Sequence, residues 1–198
     1  MNVQRSIDPE IDIQVLEIGD ASEAMLRGYR AGFEKTFMRA PQNLVWTEFE
    51  DLVQPERVLV VATEDGAIAA GLYYDRVTDE DGPVANLQGL YSNARRPGCA
   101  RRSIRSALAY EMHACGHAVG ALATIRIRAD DSVNPAVSKV LASLGFHPSA
   151  RLVVPLSPNA RHRHLIPTAN RSDENGAVFE VLQMRLSPKN VQRLVFGG

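Results

Sequence analysis

The sequence predicts an α/β (α+β) protein whose strands form a mixed, mainly antiparallel sheet. Three observations support this fold class. Apolar stretches of strand length alternate along the chain with amphipathic segments of helical length. In the middle of the chain, three strand segments follow one another through short polar turns, which is typical of an antiparallel meander. Hydrophobic residues make up 45% and charged residues 23% of the chain, as in soluble globular proteins.

Length and charge narrow the classes of protein to which the chain can belong. Its 198 residues predict one domain over residues 1–198. With 22 basic and 23 acidic side chains the net charge is −1, which favours neither nucleic acid nor an anionic membrane as a partner. The chain shows neither the roughly 20 apolar residues of a membrane helix nor the apolar segment of a secretion signal. Because Cys99 and Cys115 are the only cysteines, we expect a reduced, cytoplasmic protein without a disulfide framework.

The N-terminal region is predicted to begin with a strand. Residues 1–10 carry no periodic signal and are expected to be flexible. Apolar residues within 11–16 predict the first strand. Asp20 and Glu23 match a capping box, in which the first side chain caps a helix and the second reaches back to it.

Two amphipathic helices are predicted to follow this cap. The second covers residues 44–53 and ends before Pro55, because proline cannot continue a helix. Trp46 lies within it and is expected in the core. The first helix carries aromatic and aliphatic side chains on one face, namely Leu26, Tyr29, Phe33 and Phe37.

The meander begins with a continuous apolar run. Residues 58–62 are apolar without a break, which predicts a strand covered on both faces. Residues 64–66, Glu-Asp-Gly, predict a hairpin turn. The return strand covers residues 67–77, and a third strand covers residues 84–91 after a polar turn at residues 78–82.

A helix, a strand and a second helix are predicted after the meander. The first helix ends near Cys115, with Gly116 as its C-cap, and a strand follows over residues 119–128. Asn134 and Pro135 then predict a helix start, because asparagine caps a helix and proline is tolerated in its first turn. The buried faces of the two helices are predicted to contain Ile104, Leu108, Met112 and Cys115 in the first, and Val137, Val140, Leu141 and Leu144 in the second.

The chain is predicted to end with two strands. Gly145 stops the second helix, and strands follow over residues 152–156 and 178–186. The polar residues 157–176 between these strands predict a long loop.

The junction between the third meander strand and the next helix is strongly basic. No acidic residue lies between Asp81 and Glu111. Five arginines fall in that interval: Arg95, Arg96, Arg101, Arg102 and Arg105. Gly98 lies among them, where a strand gives way to a helix whose first turn offers unpaired amides and a partial positive charge. This arrangement predicts an anion site; the alternative is a solvated basic helix face.

Two segments of the chain carry a family resemblance. Residues 95–100, Arg-Arg-Pro-Gly-Cys-Ala, fit the pattern (Gln/Arg)-x-x-Gly-x-(Gly/Ala). Residues 134–146 begin with Asn, continue through an apolar helix and end in Gly-Phe. In this order and at this distance they resemble the two signatures of the GCN5-related N-acetyltransferase (GNAT) superfamily. The resemblance implies a mixed, mainly antiparallel sheet of six to seven strands with helices on both faces.

The resemblance also implies coenzyme A binding. The amides of Gly98, Cys99, Ala100 and Arg101 would hold the pyrophosphate, and Arg95, Arg96 and Arg102 would reach phosphate oxygens. Gln88, Gly89 and Leu90 would offer backbone groups to the pantetheine arm, in a strand where Gly89 is predicted to form a bulge. Asn134 is a further cofactor-binding candidate from the second signature. The acceptor site is expected around residues 29–46.

The catalytic residues are the part of the family pattern that this sequence does not supply. Leu141 stands where the family often has a proton-donating tyrosine. Tyr91, Tyr110 and Glu111 are the remaining candidates. The resemblance implies direct transfer of an acetyl group from acetyl-CoA to a primary amine of a small molecule, without a metal. A catalytically silent CoA-binding or sensing module is the alternative, and a homodimer is compatible with the family.

Other patterns suggest competing functions. His113, Cys115 and His117 resemble a metal cluster, but Gly116 is predicted to end the helix between them. Residues 161–164, Arg-His-Arg-His, form a basic patch in the long loop. Transfer of longer acyl chains, as in acyl-homoserine-lactone synthases, and nucleic-acid binding by the arginine cluster are further alternatives. Cys99 lies at a helix N-terminus, which lowers the pKa of a thiol, although a small residue that contributes only its amide is the simpler interpretation.

Overall fold

The computed structural model describes residues 11–39, 54, 56–95, 97–128, 130–155, 171–173 and 176–197. The described strands are β1 (Asp12–Glu17), β2 (Val58–Glu64), β3 (Ala67–Asp79), β4 (Gly82–Ser92), β5 (Gly120–Arg126), β6 (His147–Pro155), β7 (Arg171–Asp173) and β8 (Gly176–Leu186). The described helices are α1 (Glu23–Met38), α2 (Cys99–Cys115), α3 (Pro135–Ser143) and α4 (Pro188–Phe196).

All of these strands belong to one mixed sheet. Its order is β1-β2-β3-β4-β5-β8-β6, and the short β7 pairs with the beginning of β8. Neighbouring strands are antiparallel except β4 and β5, which run parallel and are connected through α2. The prediction of a mainly antiparallel sheet with helices on both faces is therefore confirmed.

The two faces of the sheet carry different helices. On one face, Val58, Val60 and Leu72 of the meander pack with buried residues of α2, α3 and α4. On the other face, Leu59 and Val61 pack with α1. Because consecutive strand residues point to opposite faces, β2 contributes to both cores. This explains why residues 58–62 are all fully buried, as their unbroken apolar run predicts.

Local signals locate most element ends correctly. Asp65 and Gly66 both have positive φ, 53° and 76°, as a tight hairpin turn requires. Gly116 ends α2 with a φ of 68°. The side chain of Asn134 caps α3 by accepting a hydrogen bond from the Ala136 amide at 3.0 Å.

The cap of α1 differs from the prediction. Ser22, rather than Asp20, caps the helix, with its Oγ accepting from the Met25 amide at 3.2 Å. Asp20 instead lies in a 3-10 turn over Ile18–Asp20 that precedes the helix. The competing serine, two residues later, fits the helix start, because the cap must bond to an amide of the first turn.

The C-terminal part contains more regular structure than predicted. β6 begins at His147 rather than at residue 152, and the register with β8 shifts between Pro148 and Ala150. A proline and a bulge are tolerated there because β6 is an edge strand. β7 lies within the loop predicted over residues 157–176. α4 was not predicted, although Ser187 caps it and Val191, Leu194 and Val195 give it an apolar face.

Some predictions concern residues outside the described ranges. These are the flexible residues 1–10, the helix over residues 44–53 and most of the loop after β6. Among the described residues, no helix is both long enough and apolar enough to span a bilayer.

Candidate functional site

β4 and β5 run side by side for only part of their length. Residues 84–87 pair with residues 120–123, and beyond them β4 continues to Ser92 and β5 to Arg126. No pairing between the two strands continues past Leu87 and Ala123 in the described residues. The divergence leaves backbone groups along the gap available to an extended ligand.

A bulge in β4 lies at the start of this gap. Gly71 pairs with Tyr91 and Tyr73 pairs with Gln88, so β4 has one more residue than β3 between the two pairs. Gly89 lies in the bulge with a φ of 59°, in the left-handed region that favours glycine. The bulge predicted at Gly89 is therefore present.

A tyrosine of α1 fixes the bulge. The Tyr29 hydroxyl donates a hydrogen bond to the Gly89 carbonyl oxygen at 2.8 Å, and the Tyr29 side chain is buried. A Cβ at Gly89 would lie 2.3 Å from the Tyr29 hydroxyl oxygen, well inside van der Waals contact. Position 89 therefore requires glycine for two independent reasons, its backbone angle and its surroundings.

A cavity of about 360 Å³ occupies the gap between the two strands. Its wall joins β4 and β5 to α1, the start of α2 and α3. Six of the residues predicted from the sequence line it: Gln88, Gly89, Leu90, Tyr91, Ala100 and Asn134. The structure thus brings residues from two distant segments, 88–100 and 134, to one cavity.

The N-terminus of α2 lies at this cavity. Gly98 has a φ of 83° at the N-cap position, and among the described residues no side chain caps the helix there. The first turn of α2 contains no acidic residue, and a Cβ at Gly98 would meet no atom within 4 Å. Ala100 lines the cavity. An anion can therefore approach the amides of this turn, where the helix dipole is positive.

The arginines of the basic junction differ in their position relative to this helix end. Arg95, Arg101 and Arg102 are exposed beside it, while Arg96 lies outside the described residues. Arg105 is directed to α4, where its Nη2 donates to the Val195 carbonyl oxygen at 3.1 Å.

The tertiary structure also brings one carboxylate to the loop before α2. The Arg95 amide donates to Glu64 Oε2 at 2.9 Å, and Glu64 is buried. Glu64 lies far from the acid-free interval in sequence and reduces the positive charge there. This contact holds the loop against the end of β2.

Cys99 is not an activated thiol. Its side chain is buried against Ile11, Ala62 and Ala70. Burial raises the pKa of the Cys99 thiol above its usual value, and the nearby Arg102 offsets this only in part. The thiol is therefore neutral at physiological pH.

The α3 segment supplies a polar cap and an apolar wall. Asn134 lines the cavity while its side-chain oxygen is engaged in capping α3. Leu141, the position at which the resembled family often has tyrosine, is buried and also lines the cavity. The side chain at this point of the wall has no proton to donate.

Tyr91 is the one catalytic candidate that lines the cavity. Its side chain is 3% exposed and packs against Tyr29 and Phe33, with ring centroids 5.4 Å and 6.5 Å away. Its hydroxyl has no hydrogen-bond partner within the described part of the chain. Burial, and to a lesser degree Cys99, raises the pKa of Tyr91. The phenol therefore stays protonated at neutral pH.

Tyr110 and Glu111 do not line the cavity. Glu111 is buried in the α2 interface with β3, where its carboxylate accepts from the Tyr74 hydroxyl at 2.9 Å and from Arg76 Nε at 3.0 Å. The Tyr110 hydroxyl donates to Glu17 at 3.3 Å. Both candidates are engaged in contacts that join α2 to the sheet. Glu111 is therefore a buried carboxylate with partners in the sheet.

Arg126 is a cavity residue that the sequence analysis missed. It ends β5, is 4% exposed and lines the cavity. Burial lowers the pKa of the Arg126 guanidinium, which nevertheless remains charged at neutral pH. A signal was present in the sequence, because an arginine lies within the mostly apolar strand predicted over residues 119–128.

The remaining candidates do not form a second site among the described residues. Phe33 and Thr36 of α1 line the cavity, in agreement with the expected acceptor region, but residues 40–46 of that region lie outside the described part. The Cys115 thiol donates to Glu111, and the His117 ring contacts the Cys115 carbonyl. No group of three or more potential ligands is arranged for a metal ion in the described ranges. The basic patch at residues 161–164 lies outside them.

Comparison with known proteins gives structural matches alone. No protein-family model and no curated protein matches the sequence, whereas many solved structures match the fold. An acyl-CoA N-acyltransferase from Pseudomonas aeruginosa matches with a TM-score of 0.59 and 14% identity, over 90% of this chain and 100% of the other. Spermidine N-acetyltransferase from Vibrio cholerae, solved with CoA and spermine, matches with a TM-score of 0.57 and 12% identity, over 91% and 98%. An acetyltransferase of the GNAT family from Streptococcus pneumoniae matches with a TM-score of 0.54 and 11% identity, over 88% and 98%.

Proposed function

We propose that this chain, which has the fold of the GCN5-related N-acetyltransferases, is an acyl-CoA-dependent N-acyltransferase. The acyl donor is acetyl-CoA, and the acceptor is a primary amine of a small molecule. A single observation carries the proposal: β4 and β5 diverge around a cavity that ends at the uncapped N-terminus of α2.

The residues present suit a CoA thioester. The amides of Gly98, Cys99, Ala100 and Arg101 would bind the pyrophosphate, because a helix start without a side-chain cap or an acidic residue attracts phosphate. Arg95 and Arg102, both exposed beside that turn, would add charge-assisted hydrogen bonds, as would Arg96. Gln88, Gly89 and Leu90 would bind the pantetheine arm through backbone groups along the gap, near Asn134.

The chemistry is direct acyl transfer. A bound acyl donor supplies a thioester carbonyl: the amine nitrogen forms an amide bond, the carbon–sulfur bond breaks, and the amine's proton ends on the thiol. A covalent route through Cys99 is disfavoured because burial keeps that thiol neutral. A β4 amide near Leu90 would stabilise negative charge on the carbonyl oxygen.

The proton donor for the departing sulfur must be a side chain other than Leu141, which has no proton to donate. Tyr91 lines the cavity with its phenol protonated, so we assign it the role of donor to the departing sulfur. A water molecule relays the amine proton to Tyr91 and restores its phenol, since the described wall of the cavity has no carboxylate.

Titration with acetyl-CoA tests the proposal. We expect calorimetry to show binding to the parent protein and to Gly98→Asn, whose amide side chain tolerates a positive φ. Gly98→Asp has the same size but adds a negative charge where phosphate would bind, so its affinity should fall by about tenfold or more. Undetectable binding by the parent protein at millimolar acetyl-CoA in low salt would overturn the function. Equal binding by the Asp and Asn variants would overturn the phosphate assignment alone.

A catalytically silent CoA-binding module is the second candidate. Leu141 favours it, because this wall residue cannot protonate a leaving thiolate. Thiol release in the presence of an amine library separates the two functions. Release above the rate with acetyl-CoA alone identifies an enzyme, and binding without release identifies the module.

A further inference from the structure

Arg126 lies on the face of the sheet opposite the predicted phosphate site. Ala121, Ala123 and Ile125 of β5 belong to the core beneath α2 and α3. Because side chains alternate along a strand, Thr124 and Arg126 are directed to the other face, on which α1 packs against β3 and β4. Arg126 and Thr124 both line the cavity. The guanidinium therefore reaches the cavity from the side of α1, where an acceptor would enter, and not from the side of α2.

The charge of the cavity wall is as informative as its shape. Among the described lining residues, Arg126 is the one charged side chain, and none is acidic. The other polar side chains on the wall are neutral: Thr36, Gln88, Tyr91, Ser92, Thr124 and Asn134. A wall of this kind attracts an anion and repels a polycation.

We propose that the acceptor is an amine that also carries a carboxylate, as an amino acid does, and that Arg126 binds this carboxylate. The inference rests on the proposed acyl transfer and names the substrate class of the same cavity. A planar guanidinium matches a carboxylate through two parallel hydrogen bonds, and burial strengthens them by excluding water.

This substrate class separates the chain from one of its structural matches. The enzyme from Vibrio cholerae was solved with spermine, a polyamine. A polyamine is recognised by carboxylates, because its ammonium groups need acceptors and negative charge. The described wall offers an arginine instead, so the shared fold does not carry over the acceptor.

The experiment compares acceptors that differ only in charge. Acetyl transfer is measured to amino acids and to the corresponding amino-acid amides, with spermine included. We expect the parent protein to prefer the acids by about tenfold or more in kcat/KM. Arg126→Gln should lose this preference, and Arg126→Lys should keep part of it, because lysine retains the charge but not the bidentate geometry. Arg27→Gln, which removes an exposed arginine from α1, should behave as the parent protein.

A second measurement does not depend on turnover. The melting temperature of the CoA-loaded protein is compared with acids and with amides present. The acids should stabilise the parent protein and not Arg126→Gln. The inference is overturned if amides or spermine are the preferred acceptors. It is also overturned if no acid is acetylated, or if no acid stabilises the CoA complex better than its amide does. An equal effect of Arg126→Gln on acids and amides would overturn it as well.

Two further outcomes distinguish this inference from its alternatives. A preference for succinyl-CoA over acetyl-CoA that disappears in Arg126→Gln would show that Arg126 binds a carboxylate of the acyl chain and not of the acceptor. This outcome would overturn the proposal. A parent protein that binds no acetyl-CoA would instead overturn the proposed function itself. Binding of acetyl-CoA with transfer to neutral amines alone would overturn this inference and leave the proposed function in place.

Discussion

At the scale of single residues, environment decides what a side chain can do. Tyr91 and Tyr110 are both tyrosines near the basic junction in sequence, yet Tyr91 lines the cavity and Tyr110 contacts Glu17. Cys99 has the helix N-terminus that normally activates a thiol, but its burial has the larger effect on its pKa. Residue type alone therefore does not identify the catalytic group.

Removing the Tyr91 hydroxyl tests its assigned role. Tyr91→Phe keeps the ring contacts with Tyr29 and Phe33 and removes only the phenolic proton. We expect kcat to fall by about tenfold, less than the roughly hundredfold or more that is typical of acid catalysis, because a thiol with a pKa near 8.5 leaves readily. Affinity for acetyl-CoA, measured by calorimetry, should change by less than about twofold. Tyr110→Phe is the matched control, and an equal loss of kcat in both variants would contradict the assignment.

At the scale of elements, the bulge in β4 shapes the site. One extra residue in β4 re-aims the strand after Gln88, just beyond the last paired residues of β4 and β5. Tyr29 of α1 holds the bulge through its hydrogen bond to Gly89. The opening of the cavity thus depends on a contact between a helix and a strand that are distant in sequence.

Substitution of Gly89 tests how strongly the bulge is held. Gly89→Ala should lower the free energy of unfolding by about 3 kcal/mol, because it adds both left-handed strain and a clash with Tyr29. Gly66→Ala is the control: Gly66 has a φ of 76° with nothing near its missing Cβ, so only the strain of about 1 kcal/mol applies. Urea denaturation measures both. Equal losses of unfolding free energy in the two variants would show that the Tyr29 side chain moves aside and does not fix the bulge.

At the scale of the whole molecule, the sheet consists of two antiparallel parts joined by one short parallel pairing. β1 to β4 form the first part, and β5, β8 and β6 form the second. At the closed end of the gap, Arg185 of β8 binds Asp79 at 2.7 Å and Asp81 at 2.6 Å. These ion pairs connect the two parts at the end opposite the cavity.

The ion pair to Asp79 should make stability depend on pH. The hydrogen bond from Arg185 holds the pKa of Asp79 below its usual value. A carboxylate with a lowered folded-state pKa stabilises the protein above its unfolded pKa of about 3.9, and this contribution is lost as the pH falls through the folded value. We expect Asp79→Asn to reduce stability at pH 7 by less than about 1 kcal/mol, since both partners are partly exposed.

The difference between Asp79→Asn and the parent protein should shrink as the pH falls below about 3.9, as followed by urea midpoints. Asp20→Asn, which removes an exposed carboxylate from the turn before α1, controls for the general effect of net charge. A difference between Asp79→Asn and the parent that is constant from pH 7 to pH 3 would exclude the ionised pair as its cause.

The sequence by itself determined the features that depend on neighbouring residues. The apolar run of β2, the turn at Gly66, the caps at Gly116 and Asn134, and the bulge at Gly89 all follow from local geometry, in which one residue type fits one backbone conformation. α4 carried similar signals at Ser187 and Val191 and was missed although they were readable.

The tertiary structure alone decided which of these features meet. Where the pairing of β4 and β5 stops, how Glu111 comes to be buried and how Arg126 reaches the cavity depend on contacts between elements far apart in the chain. Such contacts are set by the total burial of apolar surface and by the balance of charges across the sheet, and no short stretch of sequence encodes either sum.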